Sequence, residues 1–460
     1  MSLARSAART SGLRSATAPE NSFGGGGGGA NGADVTPDHR PVVAAGLIGL
    51  AAILVLTQLD AVAHRFAGWL PVSPFELLLV ALVGLTIVLL AAPVDIALAP
   101  LAHPLGLRLT AALALWMAIA LAMSDALRDA MEYTIRTWGV MALVLLVPVF
   151  VRSAKDIHLL ILAVIAAGAL NALIVIFETF TATRLFATSI ASTEASFEGA
   201  IRSTGGSDLN PTSVAQMIMV SALLALVTGI GKASVRQRLI CAAAFLPCTA
   251  AIALMSARSA IIGLALGMGI VLFSFYRDRR FPLFVLGSAV AAVAALFVVP
   301  QSTFDRFAAI ADFSTDRSLF RRLTYLNVGW DLFKTSPIWG IGPGNFPSHY
   351  IGDAYRYLPG RTLNARELHN TYLDVLVEYG AVGFALFAGV VTAALRSAAK
   401  AVREGADEAV RGPAFAIMTA LIALLAASVF MPHKDFRYLW IFIGLALCCR
   451  GLVTRERMAA

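Results

Sequence analysis

The residues able to do chemistry in this chain are few and sit at the edges of its apolar segments. The stretch "ELHNTYLDVLVEYGAVGF", residues 367–384, places His369 and Asn370 at the threshold of a hydrophobic run, with Asp374 and Glu378 one and two helical turns further in. Histidine, with a reference pKa of about 6.5, is the side chain best suited to take a proton from a hydroxyl near neutral pH. The same position also suits a residue that merely covers a helix start, and Asn370 or Thr371 can supply the cap. Asp374 and Glu378 are each in range, by sequence, to orient the imidazole. Three arginines offer a second chemistry: Arg202 in "GAIRSTGGSDLNPTS", Arg258 in "LMSARSAIIG" and Arg322 in "SLFRRLTYLNVGW". A guanidinium is a planar fork that binds phosphate oxygens in pairs and stays charged at physiological pH, so arginines on one face suit a diphosphate. A lone interfacial arginine can equally be a snorkelling topology anchor. Arg258 is the hardest to read that way, because it sits in a very short loop on the side where positive charge is disfavoured. No DxD-like pair or carboxylate cluster in an exterior loop suggests a Mg²⁺ or Mn²⁺ site. Arginine would therefore neutralise a diphosphate leaving group without a metal, and no cofactor is expected.

The elements that must position these residues are membrane helices. Of 460 residues 58% are apolar and 14% charged, with a mean hydropathy of +0.77, which is the composition of a polytopic membrane protein. A span needs about 20 mostly apolar residues. Such stretches lie near 42–60, 75–93, 108–124, 133–151, 157–179, 212–230, 238–255, 258–275, 281–300, 371–395, 413–431 and 437–453. Continuous apolar runs of this length satisfy their own backbone only as helices, so the expected fold is an all-α bundle of about twelve spans. The net charge of +8 does not indicate nucleic acid, since Lys and Arg fall mainly in the tails and short loops. Alternate loops carrying Arg152 and Lys155, then Lys232, Arg236 and Arg238, then Arg277, Arg279 and Arg280, and then Arg396, Lys400, Arg403 and Arg411 are expected to be cytoplasmic. Opposite loops are poorer, with Lys434 and Arg437 in the last of them, and both termini come out cytoplasmic. Cys241, Cys248, Cys448 and Cys449 all fall inside apolar spans, as small hydrophobes with no metal or disulfide spacing.

The organisation that follows is a disordered tail over 1–40, spans one to nine over 41–300, an external loop over 301–370, and spans ten to twelve over 371–455. The glycine-rich "SFGGGGGGANGADVTPDHRP" of the tail has nothing to bury. A second long segment, roughly 180–211, lies on the same non-cytoplasmic side as the 301–370 loop, and segments of that length are usually functional or disordered. Within the larger loop, spacing predicts a helix over about 317–335. Its apolar stripe is Leu319, Leu323, Leu326, Trp330 and Phe333, which should lie on the membrane surface or cap the bundle. Arg322 falls at the edge of that stripe and Arg321 on the opposite side, so Arg322 should face what the stripe covers and Arg321 should face water. Pro337 then stops the helix, and Gly340, Gly342 and Gly344 around Pro343 form a turn whose backbone can come close to another helix or to a ligand.

These motifs resemble the O-antigen ligase family, which also takes in Wzy-type polysaccharide polymerases. The resemblance is carried by "RSTGGSDLNPTSVAQ", "SARSAIIGL", "RLTYLNVGWDLFKTSPIWGIGPGNF" and "LHNTYLDVLVEYGAVG", in that order between residues 202 and 384, together with a large external loop between the ninth and tenth spans. It implies a metal-independent, inverting glycosyltransferase of the bacterial inner membrane, acting on the periplasmic face. The donor would be a glycan on undecaprenyl diphosphate. The acceptor would be the lipid A core for a ligase, or the growing glycan for a polymerase, with membrane lipids as the surroundings. By the same resemblance Arg202, Arg258 and Arg322 engage the donor diphosphate and His369 is the base, with Asn370, Asp374, Glu378, Gly342 and Gly344 in support. A transporter or flippase is the non-enzyme rival, and would call for paired ionisable residues deep in the spans, where Asn171 is among the scarce polar candidates. The orientation has a direct check: a reporter fused near residue 350 should read as periplasmic and one near 405 as cytoplasmic. A cytoplasmic signal at 350 would put the candidate residues on the wrong face for this chemistry.

Overall fold

The computed structural model describes residues 40–91, 103–186, 202–277, 317–358 and 364–459, apart from 71, 125 and 232, with 281, 282 and 285 in addition. The expected tail over 1–40 and nearly all of the span expected at 281–300 lie outside these residues. The described chain is helical throughout, without strands: α1 (Arg40–Gln58), α2 (Asp60–Ala67), α3 (Pro74–Ala91), α4 (Pro104–Ala122), α5 (Leu127–Phe150), α6 (Ala154–Thr181), α7 (Pro211–Ile230), α8 (Val235–Leu254), α9 (Arg258–Ser274), α10 (Arg317–Thr335), α11 (Phe346–Tyr350), α12 (Thr371–Glu404), α13 (Glu408–Ala427) and α14 (Arg437–Ala459). Nine of these are long and apolar enough to cross a membrane, and α3 and α9 are shorter apolar helices. Eleven of the twelve expected spans therefore have a helix among the described residues.

Two helices form the interior. In α14 and α7, 83% and 78% of the spanning window is buried, against 28% in α4, so α4 lies at the rim and presents side chains outward. The inner helix α7 packs on α6, α8, α9 and α13, and α14 packs on α5, α12 and α13. Close approach is set by small residues, as expected where apolar lipid gives no preference for protein over tail. A Cβ at Gly263 or Gly267 of α9 would come within 2.4 and 2.5 Å of Met219 and Leu223 of α7, so this glycine pair is a contact ridge. All four cysteines are buried free thiols in these helices. Asn171 of α6 is also structural: its amide donates to the Gln58 carbonyl at the end of α1 and accepts from Gly206 N–H, at 3.1 and 2.8 Å.

The feature that shapes one end of the bundle is a break in α12. Gly380 has φ 66° and ψ −174°, a conformation open essentially only to glycine. Past it, Ala381 N–H donates to Pro337 carbonyl (2.8 Å) instead of continuing the helix. The carbonyls released by the break are taken up from outside. Val377 accepts from Ile341 N–H (2.9 Å), Glu378 from Gly342 N–H (3.2 Å), and Tyr379 from the Trp116 indole (2.8 Å). The glycine turn that follows α10 is thus zipped onto the broken helix, and its backbone partners there are groups that a straight helix would have used internally.

Helix α10 has the bounds that spacing predicts, and it packs through its more polar face. Tyr325, Val328 and Leu332 are buried, with Thr324 beside them, whereas Leu323, Leu326 and Trp330 of the expected stripe are 39%, 38% and 50% exposed. These three point away from the bundle, as a membrane-surface face would, and the helix packs on α12 through its more polar side. Arg321 lies four residues before Tyr325 and seven before Val328, so it belongs to the buried face. The expectation that it faces water is corrected: Arg321 and Arg322 are both half-buried.

The break at Gly380 can be tested by filling it. A Cβ there would lie 2.0 Å from the Ile338 carbonyl oxygen, on top of a backbone cost of about 1–3 kcal/mol for the conformation itself. Gly380→Ala should lower the melting temperature and free the 336–346 turn, seen as faster hydrogen exchange at Ile341 and Gly342. Unchanged exchange there would mean that the turn is held by something else.

Candidate functional site

His369, Asn370 and the start of α12 form one end of the bundle together with the C-terminal end of α13 and the segment before α14. Asn370 is the N-cap, its side-chain oxygen accepting from Tyr372 and Leu373 N–H at 3.0 and 3.2 Å. Thr371 locks the cap to α13: its N–H donates to Ser428 carbonyl (2.9 Å), its hydroxyl donates to Met431 carbonyl (2.7 Å) and accepts from His433 N–H (2.7 Å). His369 is therefore relieved of capping. It is held in left-handed backbone (φ 57°), a region in which histidine is among the enriched non-glycine residues.

The ring of His369 is fixed on two sides. Its Nδ1 lies 2.7 Å from the Glu367 carbonyl oxygen, and since a carbonyl only accepts, Nδ1 carries the proton and the Nε2 lone pair is left open in the neutral ring. The imidazole stacks on Tyr325 of α10, with centroids 5.5 Å apart. Burial pushes its pKa below the ordinary 6.5; the Glu367 carbonyl opposes this, and Arg322, Arg366 and Arg321 add to the depression. His369 is thus neutral at pH 7, with an open basic nitrogen. The second histidine nearby, His433, is fully buried, bonded through Nδ1 to the Ser428 hydroxyl (2.8 Å) and stacked on Phe436, and burial pushes its pKa down to about 3. It is a packing group.

The structure sets Asp374 and Glu378 apart from the imidazole-orienting role open to them by sequence. Both are buried, and both face Lys434, whose ammonium lies 2.8 Å from Asp374 Oδ2 and 2.6 Å from Glu378 Oε2 and 4.8 Å from the centre of the Tyr133 ring. Burial works against the charged form of Lys434, but the two carboxylates more than offset it and hold its pKa above the ordinary lysine range. Glu378 Oε2 also accepts from Gly344 N–H at 2.8 Å. Gly342 and Gly344, each with positive φ, therefore support the site as a close structural contact: a Cβ would strike Ser124 at one and Tyr133 at the other. Lys434 itself looks, from sequence, like one more loop charge. The signal that could have found it is the two carboxylates at i, i+4 on the first turns of an apolar helix, which require a cation.

The arginines are distributed around this end. Arg322 places its guanidinium 5.7 Å from the centre of the Phe430 ring, in the turn that follows α13. Arg258 is the first residue of α9. The next residue, Ser259, accepts from the Gln216 amide of α7 (2.9 Å), and the same amide reaches the Ala427 carbonyl at the end of α13 (3.5 Å). Arg258 thus begins a helix linked through Ser259 and Gln216 to the end of α13, and Arg322 stands by the turn just beyond it. Arg202 lies at the same end, before α7, where Asn210 caps the helix (Ser213 N–H, 2.9 Å). The loop around Arg202 is clamped by buried Glu178, which accepts from the Ser203 hydroxyl and Leu185 N–H and pairs with Arg184. A cavity of about 470 Å³ at the opposite end, lined by Lys155, His158, Gln237, Asp407 and Glu408 among others, contains none of these residues.

Fold and site together define a multi-pass helical membrane protein whose histidine and arginines gather at one end of the bundle. Residues 242–388 match the family described as O-antigen ligase (Wzy_C), the family that the motifs resemble. The matched segment runs from α8 into α12 and takes in Arg258, Arg322, Gly342, Gly344, His369, Asn370, Asp374 and Glu378. With the apolar helices it supports a membrane enzyme of glycan processing. No curated protein matches the sequence.

Lys434 offers a test of this architecture. Removing one partner of a buried ion pair costs about 3–5 kcal/mol, because the remaining charges are stranded. Lys434→Met should strongly lower the melting temperature, and adding Asp374→Asn and Glu378→Gln should recover much of the loss, since it neutralises the two carboxylates that the ammonium meets directly. A single substitution with wild-type stability would show that the cluster is not buried as described.

Proposed function

We propose that the chain transfers a glycan from undecaprenyl diphosphate to a hydroxyl group of the lipid A core, as an O-antigen ligase of the inner membrane with its site on the periplasmic face and both termini in the cytoplasm. The observation that carries this reading is the state of His369: Nδ1–H is committed to the Glu367 carbonyl and the ring is neutral, so Nε2 is free to accept a proton. In the reaction, the acceptor oxygen attacks the anomeric carbon. The bond from that carbon to the diphosphate oxygen breaks with its electron pair leaving on the diphosphate, the hydroxyl proton passes to His369 Nε2, and the anomeric configuration inverts. Arg202, Arg258 and Arg322 stabilise charge on the departing diphosphate without a metal. Asn370, Asp374, Glu378, Gly342 and Gly344 act behind them, by holding the cap and the turn.

The reading is tested with purified protein, lipid-linked glycan and a choice of acceptors. Glycan on a lipid A core is expected; lengthening of the glycan on its carrier would instead make the chain a polymerase. His369→Ala should lose on the order of 10² to 10⁴ in rate, the range for a positioned general base, and His369→Gln should be nearly as poor, with donor binding and melting temperature retained in both. Near-normal transfer by the Gln variant would remove His369 from the base role. The pH profile follows from the sign of the shift: the neutral ring is the active form and its pKa in the free protein is depressed, so the acid limb of kcat/KM should be centred below 6.5. An acid limb centred above 6.5 would contradict the assignment.

A further inference from the structure

The surroundings of His369 contain more positive charge than the proposed mechanism uses. Tyr325, the residue against which the imidazole stacks, sits one turn after Arg321 and Arg322 on α10, and side chains on a helix lean toward its N-terminus. Both guanidiniums therefore arise beside the stacked rings, Arg321 on the packed face and Arg322 at its edge, next to Phe430. The third comes from the other direction. Leu368 is buried and lies where a Cβ on Gly329 of α10 would come within 2.8 Å of it, and Arg366 is two residues earlier in the chain. All three arginines act electrostatically on His369, and all three act on Tyr325. Arg321 and Arg366 are half-buried, as is Arg322. Glu367, beside Arg366 in the chain, is exposed and contributes its backbone carbonyl to the imidazole.

We infer that Arg321 and Arg366 join Arg322 in a single phosphate-ester site flanking the His369–Tyr325 stack, which takes the diphosphate of the lipid carrier. The identity of the ligand rests on the function proposed above; the cluster itself does not. Charge explains why further cations are suitable beside those the mechanism already uses. A diphosphate esterified at both ends carries two negative charges, and when the glycan leaves, the terminal phosphate gains a further charge of about one at neutral pH, its second pKa being about 6. Added guanidiniums therefore favour the departing form over the bound donor, which is the condition for electrostatic stabilisation of a transition state. A headgroup phosphate of an anionic lipid would present the same chemistry to the same side chains.

The test uses the full-length protein in nanodiscs with glycan-free undecaprenyl diphosphate as the probe, in phosphatidylcholine and, separately, with phosphatidylglycerol. Arg321→Gln and Arg366→Gln are each expected to weaken binding of the probe about tenfold to a hundredfold in phosphatidylcholine, the loss of a charge-assisted bond. The corresponding Lys variants should recover only part, because an ammonium keeps the charge and loses the fork. They also serve if a Gln variant folds poorly. Arg356→Gln, an exposed arginine paired with Asp353, should bind as wild type does. Wild-type affinity in either of the two Gln variants overturns the cluster, as does a wild-type protein that does not bind the probe. An effect confined to phosphatidylglycerol overturns it in favour of headgroup binding. Arginine-dependent binding by a protein that transfers glycan to no acceptor would leave the cluster standing and remove the proposed reaction.

Discussion

The ammonium of Lys434 between the carboxylates of Asp374 and Glu378 is the interaction on which the functional end of this protein depends. Two carboxylates on consecutive turns of an otherwise apolar helix would be prohibitively costly without a cation. Lys434 supplies it from the segment before α14, and so ties the last helix of the bundle to α12. Glu378 then uses the same oxygen to hold Gly344 N–H, which joins the external turn to the ion pair. One cluster thus fixes three separate parts of the chain, and the break at Gly380, two residues past Glu378, lets backbone hydrogen bonds complete the joint.

From that joint the geometry of the site follows outward. The glycine turn is the continuation of α10, so anchoring the turn fixes the C-terminal end of α10 against α12. The packed face of α10 then brings Tyr325 to His369 and carries Arg321 and Arg322 to the same place. On the other side, Thr371 ties the cap of α12 to the end of α13 and the turn just beyond it, which is also where Arg322 meets Phe430 and where the Gln216–Ser259 link brings α9 and Arg258. Polar residues that appear as isolated features in the sequence are thus joined by a short chain of contacts, each made at a helix end where backbone groups need partners anyway.

How far the sequence could be read depended on whether the signal was local. The bounds of α10, the Asn370 cap and the apolar spans are local properties of spacing and composition, and the structure has them. Spacing leaves the packing face of α10 open between membrane surface and bundle for a physical reason. In water the more apolar face is buried, but beside a membrane lipid covers apolar side chains as well as protein does, and Leu323, Leu326 and Trp330 can point outward while Tyr325, Gly329 and Thr324 pack inward. Arg321 is expected in water because it lies opposite the apolar stripe, and that opposite side is the one that packs. Lys434 was illegible because its partners are far upstream and nothing periodic links them. An isolated lysine between two spans reads as a topology charge until the carboxylates that need it are seen.

The electrostatics of His369 gain sense from this arrangement. A base surrounded by guanidiniums is a weaker base, and cations placed to meet a diphosphate must also depress any histidine beside them. On the proposed function, that conflict would ease when a diphosphate binds, since its charge offsets the arginines and raises the affinity of Nε2 for a proton. It would ease further as charge builds on the leaving oxygen. The imidazole would then be most basic when the acceptor's proton has to be removed and least basic when the site is empty, a coupling that needs no movement of the chain. In that scheme the placement that stabilises the leaving group also times the base, because the arginines act on both through one electrostatic field.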